Sequence, residues 1–105
     1  MEQAIALKVN DLDNVATIFA QGVTDGQTVT LKDKAGNAQP LTVIGDVPYG
    51  HKVAVDDIPA GGSIRKYGEQ IGVASRAIRR GEYVHVHNLD SMRGRGDLPE
   101  KEDAV

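Results

Sequence analysis

One short pattern recurs four times in this chain and limits what it can fold into. A β-branched residue is followed three positions later by glycine and three positions after that by a second β-branched residue. The four instances are Val23, Gly26 and Val29; Val47, Gly50 and Val53; Ile58, Gly61 and Ile64; and Ile78, Gly81 and Val84. Each reads as the end of one strand, a tight turn that needs a positive φ at glycine, and the start of the next strand. A unit this small cannot bury its own apolar face. The spacing between units is irregular, which excludes a solenoid and favours a compact, barrel-like or clip-like β fold.

The rest of the chain agrees. Residues 4–9 and 15–20 read as short strands around Asn10-Asp11-Leu12-Asp13-Asn14, whose side chains bond the local backbone in turns. Residues 28–31 and 40–43 flank Lys34-Ala35-Gly36-Asn37 as a hairpin with an exposed tip. Only residues 74–80 (ASRAIRR) have helical composition, for two turns at most. With 105 residues the chain makes one domain, and its few aromatics leave the core to Val, Ile, Leu and Ala. Folded structure is expected over residues 1–90. The charged, glycine-bearing residues 91–105 read as a flexible tail.

Composition removes several function classes. The absence of cysteine excludes disulfides, zinc knuckles and thiol catalysis. A net charge of −3 argues against nucleic acid as a partner. No run approaches the roughly 20 apolar residues that cross a bilayer, and the opening residues lack the basic and apolar regions of a secretory signal. The expected location is cytoplasmic, with no membrane association.

Two stretches offer chemistry. His85 and His87, read as part of a strand with Val84 and Val86, would point to one face while the valines point to the core. Two imidazoles on one face can chelate a divalent metal if a third ligand joins them, and His51 supplies it only if its turn lies alongside. The alternative is a pair of solvated strand histidines. Arg65-Lys66-Tyr67-Gly68 places cations beside a phenol, which suits a carboxylate or a proton transfer; the alternative is a basic edge strand that discourages pairing. Asp56 and Asp57 read as turn entry. Arg93 and Arg95 are flexible guanidiniums able to reach an acidic substrate or a partner surface.

Taken in order, Asp13-Asn14-Val15-Ala16, Gly50-His51-Lys52, Asp57-Ile58 with Gly61, Lys66-Tyr67-Gly68, Ile71-Gly72 and His85-Val86-His87-Asn88 resemble a known family. The set is similar to the SAF (antifreeze-like) domain that opens altronate and galactarate dehydratases, and to the small subunit of sulfolactate sulfo-lyase. The similarity runs from about Leu7 to Leu89. It implies a mostly β, β-clip fold and a small subunit of a metal-assisted lyase, inactive without a large catalytic subunit. The implied substrate is a sugar acid such as altronate or galactarate; the alternatives are sulfolactate or a non-catalytic sugar-acid-binding module. The resemblance further implies His85, His87 and Lys66 as catalytic residues and His51, Lys52 and Tyr67 as substrate-binding residues; Arg93 and Arg95, beyond the stretch of similarity, join the substrate-binding set on their own chemistry. It implies a divalent metal, iron, held mainly by the large subunit and touched by His85 and His87.

Overall fold

The computed structural model describes residues 4–91. Nine strands occur among them: β1 (Ile5–Lys8), β2 (Val15–Phe19), β3 (Thr28–Asp33), β4 (Ala38–Thr42), β5 (Lys52–Ala54), β6 (Ser63–Lys66), β7 (Glu69–Ala74), β8 (Tyr83–Val84) and β9 (Leu89–Ser91). They form a six-stranded sheet in the order β4-β3-β1-β2-β5-β8 and a three-stranded sheet in the order β6-β7-β9. β1 and β3 are parallel; every other strand pair is antiparallel. The mostly β, clip-like expectation holds, and the hairpin at residues 34–37 has the expected exposed tip with longer arms.

The glycine pattern is the framework of the fold. Gly26, Gly50, Gly61 and Gly81 have φ of 86°, 82°, 82° and 92°, so all four occupy the left-handed region the repeat demanded. The units also pair in twos. Val23 bridges Val47 and Ile58 bridges Ile78, both antiparallel. Gly26, Gly61 and Gly81 donate their N–H groups to the carbonyls of Val43, Ala74 and Ala54. Each acceptor lies four residues before the leading residue of the paired unit, so two similar halves arise from one local rule. Gly81 is the tightest position: a side-chain carbon there would run into the Thr42 carbonyl.

β2 and β5 form a wall with a core on each side. The register sets Val15 against Ala54, Ala16 against Val53 and Thr17 against Lys52, so successive residues alternate faces. Ala16, Ile18 and Val53 enter one apolar cluster with Val23, Val29, Leu41 and Val47. Val15, Ala54 and Val84 enter the other with Ile58, Ile64 and Ile78. Burial on both faces explains why the sequence Val15-Ala16-Thr17-Ile18 does not alternate in polarity.

Three expectations change. Residues 74–80 are not helical: Ala74 ends β7 and a turn follows, with Ile78 bridged to Ile58. Burial of Ile78 in the second core outweighs the weak helix propensity of so short a segment. The histidine strand stops at Val84, and residues 85–88 form a turn, so Val84 is buried but Val86 is 77% exposed. The cause is Asn88, fully buried, whose Oδ1 accepts the His85 N–H at 3.0 Å and whose Nδ2 donates to the Tyr83 carbonyl at 2.9 Å. These bonds replace the ladder a strand would need. Lastly, Ser91, the first residue assigned to the tail, closes β9 opposite Gly72.

Candidate functional site

The turn between Tyr49 and Lys52 and the turn after β8 lie side by side, because β5 and β8 pair with Val53 opposite Tyr83 and Lys52 opposite Val84. His51, one residue before β5, therefore comes alongside His85, one residue after β8. Their ring centroids are 4.9 Å apart. His51 Nδ1 lies 2.7 Å from the Tyr83 hydroxyl. Tyr83 stacks on His85, with centroids 5.7 Å apart and planes 6° apart, and its ring lies 5.4 Å from that of His87. The three histidines of the chain thus share one aromatic hub.

Lys52 leaves the sheet on the opposite face from Val53 and Tyr83, toward the three-stranded sheet that carries Lys66. Burial pushes the Lys52 ammonium below its usual range, and the charge of Lys66 adds to the effect. His85 is likewise pushed below the ordinary histidine value, first by burial and then by His51, Lys52 and His87. The shift favours the neutral imidazole, which has a lone pair to offer. Among the described residues the one ion pair joins Arg76 to Glu82 and engages none of these basic groups. A carboxylate bound beside these basic groups would relieve the repulsion at Lys52 and His85 together.

Lys66 and Tyr67 are placed by an acidic clamp. Lys66-Tyr67-Gly68-Glu69 is a two-residue hairpin loop, with φ of 57° at Tyr67 and 77° at Gly68, the signature of a type I′ turn. Asp13, 3% exposed, accepts the N–H groups of Tyr67 at 3.0 Å, Gly68 at 2.8 Å and Asn10 at 3.1 Å. Asn14 accepts the Arg65 N–H and donates to the Ser63 carbonyl. The Asx-rich turn read from the sequence is thus also the staple between the two sheets. Lys66 Nζ lies 4.9 Å from the centroid of the Tyr67 ring, itself 61% exposed. β6 is an edge strand, as the structural alternative for Arg65 and Lys66 held.

A tyrosine at a left-handed turn position, largely in solvent, has the Lys66 ammonium as its one ring contact among the described residues. Such a conformation costs roughly 1–2 kcal/mol in a non-glycine residue, and asparagine is preferred at this turn position. Tyr67→Asn should therefore raise stability by about 1 kcal/mol, a melting temperature higher by about 5 °C, read by thermal denaturation. An unchanged or lower melting temperature would mean that the exposed ring stabilises the chain by other contacts.

The structure brings His51, His85 and His87 together and sets Lys52 within the field of Lys66, and His85 within that of Lys52. It adds Tyr83, Asp13 and Asn88, which the sequence reading did not assign to the site. The alternation used to place His85 and His87 would have found Tyr83, two residues earlier on the same face. Thr17, paired in register with Lys52, adds a buried hydroxyl with no hydrogen-bond partner among the described residues. Arg93 and Arg95 lie outside the described residues. No group of three or more His, Asp or Glu side chains among the described residues is arranged to hold a metal ion. No helix among the described residues is long and apolar enough to cross a membrane.

A family model described as the altronate/galactarate dehydratase SAF domain matches residues 4–92. The chain is similar to galactarate dehydratase (L-threo-forming) of Escherichia coli (strain K12), with 48% identity over 83 residues, covering 77% of this chain and 14% of that protein. It is similar to altronate dehydratase of Bacillus subtilis (strain 168), with 48% identity over 84 residues, 80% of this chain and 14% of that protein. It is also similar to (2R)-sulfolactate sulfo-lyase subunit alpha of Chromohalobacter salexigens, with 36% identity over 93 residues, 86% of this chain and 98% of that subunit. The chain thus spans a small fraction of the dehydratases and nearly the whole of the sulfo-lyase subunit.

Proposed function

The chain belongs to the SAF-domain family of altronate and galactarate dehydratases, and from that premise we propose that it is the small component of a two-part cytoplasmic lyase. Its substrate in this proposal is a hydroxy acid, with a sugar acid such as altronate or galactarate first. The supporting observation is the gathering of His51, His85 and His87 around Tyr83, with Lys52 acting on His85 and Lys66 on Lys52. Lys52, Lys66 and His51 receive the carboxylate of the acid. His85, a neutral imidazole, takes the proton from the carbon beside that carboxylate. The C–H and C–O bonds break, a C=C bond forms, and the hydroxyl leaves as water with the proton returned by the His85 imidazolium; the enol then becomes the keto acid.

A small domain with an open cluster does not enclose such a reaction, and the proposal assigns the rest of the cleft to a larger chain. Exposed Leu12, Tyr67 and Val86 are candidates for its contact surface, since they lie beside the Asp13 clamp, on the hairpin tip and within the histidine turn. The divalent metal expected from the resemblance, iron, is likewise assigned mainly to the larger partner, with His85 and His87 as its contacts from this chain, since no group of three or more donors occurs among the described residues. Tyr67, Arg93 and Arg95 remain proposed substrate contacts.

A second reading is favoured by the coverage of the sulfo-lyase alpha subunit, 98% of its length. Under it the same proton is removed and a C–S bond breaks, releasing sulfite. One experiment separates the readings: recover the chain with whatever larger chain co-purifies, add ferrous iron, and assay altronate, galactarate and sulfolactate for keto acid and sulfite. Keto acid from a sugar acid supports the first reading, and sulfite the second. A chain that binds a sugar acid with no larger partner and no turnover would be a binding module, and the lyase proposal would be wrong.

A further inference from the structure

We infer that Tyr83 is a positioning residue, whose phenol holds His51 in the tautomer that carries its proton on Nε2. His51 then faces a ligand as a hydrogen-bond donor and not as a base. The inference deepens the proposed lyase site and rests on that reading for its catalytic value, but the tautomer is a property of this chain alone.

The backbone fixes both residues before their side chains meet. His51 donates its N–H to the Pro48 carbonyl at 3.1 Å and accepts the Ile18 N–H at 2.8 Å. Tyr83 is held in β8 by its pairing with Val53, and its ring packs against the first core. What remains free is the rotation of the imidazole and the choice of nitrogen that carries the proton. The Tyr83 hydroxyl decides both, at 2.7 Å from Nδ1. That separation is typical of an O–H donor and shorter than the usual N–H donor distance of about 2.9–3.0 Å. A phenol is the better donor and an imidazole nitrogen the better acceptor. No other acceptor for the Tyr83 proton occurs among the hydrogen bonds of the described residues. The phenol therefore donates to Nδ1, and the remaining proton of a neutral His51 sits on Nε2.

The same ring stacks on His85 and touches His87, but its one hydroxyl serves only His51. This divides the labour among chemically identical side chains. His51 is committed to donating toward an oxyanion, while no side-chain hydrogen bond commits a ring nitrogen of His85 among the described residues. In a site that must both bind a carboxylate and accept a proton, that difference assigns the two roles to two imidazoles.

The test is long-range 1H–15N correlation spectroscopy on the full 15N-labelled chain at pH 8, where ordinary imidazoles, with pKa of about 6.5, are neutral. His51 should show a single tautomer, with a pyridine-like Nδ1 and a pyrrole-like Nε2. Tyr83→Phe keeps the ring and removes the hydroxyl, and should turn His51 into a tautomer mixture while leaving the backbone amide spectrum in place. A wild-type His51 protonated on Nδ1, or a wild-type mixture, overturns the inference whatever the variant does. So does a pattern that Tyr83→Phe leaves unchanged. In the reconstituted lyase, Tyr83→Phe should lower kcat/KM by about tenfold, mainly through KM, in line with one lost net hydrogen bond. The spectrum needs no turnover, so a failed lyase assay with the expected tautomer sinks the proposed function and leaves the Tyr83 role standing.

Discussion

Replacing Asp13 with alanine should lower the stability of the chain by about 3 kcal/mol and free the tip that carries Lys66 and Tyr67. The carboxylate is almost completely buried and accepts three backbone N–H groups, from Asn10, Tyr67 and Gly68. Hydrogen bonds to a charged acceptor contribute more than neutral ones, and each buried donor left without a partner costs about 1–3 kcal/mol. Two of the three donors belong to the left-handed turn residues, so the clamp also stabilises the strained φ of Tyr67. Without it the hairpin would still pair through β6 and β7, but its tip would lose its fixed relation to the first sheet. Urea denaturation should show the lower midpoint, and amide exchange should speed up at Tyr67 and Gly68 first. Asp13→Asn keeps one acceptor oxygen and should fall between wild type and alanine. A loss below about 1 kcal/mol in the alanine variant would show that water replaces the carboxylate at little cost, and the clamp would then be incidental.

The sequence made the turns legible and left the contacts between them open, for a physical reason. A positive φ is a local demand, met by glycine at the same place in each unit, and the four glycines could be read without knowing what they pack against. Which unit pairs with which depends on long-range hydrogen bonds such as Val47 to Val23 and Ile58 to Ile78, which leave no local mark. The Asx turn shows the same split. Asn10 to Asn14 was readable as turn chemistry, but Asp13 and Asn14 reach residues 63–68, some fifty positions away. The histidine stretch departs from its own pattern at one point. Tyr83-Val84-His85-Val86-His87 alternates as a strand should, and composition alone had no reason to stop at Val84. Asn88 stopped it, by offering a side-chain substitute for the next ladder bonds. That exchange left Val86 exposed and turned a strand face into a loop beside His51. The gathering of the candidate site was therefore only half legible: the residue types were visible, and their convergence came from strand order.

Substituting both His85 and His87 with alanine should reduce turnover of the reconstituted lyase by about 10²–10⁴-fold, the range expected when a general acid or base is lost, with little loss of stability. The second half of that expectation makes the first interpretable. Both side chains sit in a turn whose backbone is held by Asn88, and His87 is exposed. The buried residue of the segment is Val84, which the substitution leaves alone. The double variant should therefore melt within a few degrees of the wild type and still recover the larger chain. Lys52→Met with Lys66→Met should behave differently: those groups receive the carboxylate in the proposed site, so the loss should fall on KM and carry a weaker dependence on ionic strength. A histidine variant with normal turnover would reduce His85 and His87 to ligand hydrogen bonding, leaving elimination entirely to the larger chain. A histidine variant that no longer recovers the larger chain would place the turn in the subunit contact instead. If kcat falls in the first variant and KM rises in the second, the cluster does two jobs with two sets of side chains. That is what its geometry predicts: imidazoles gathered on the aromatic hub, and ammonium groups of Lys52 and Lys66 at its border.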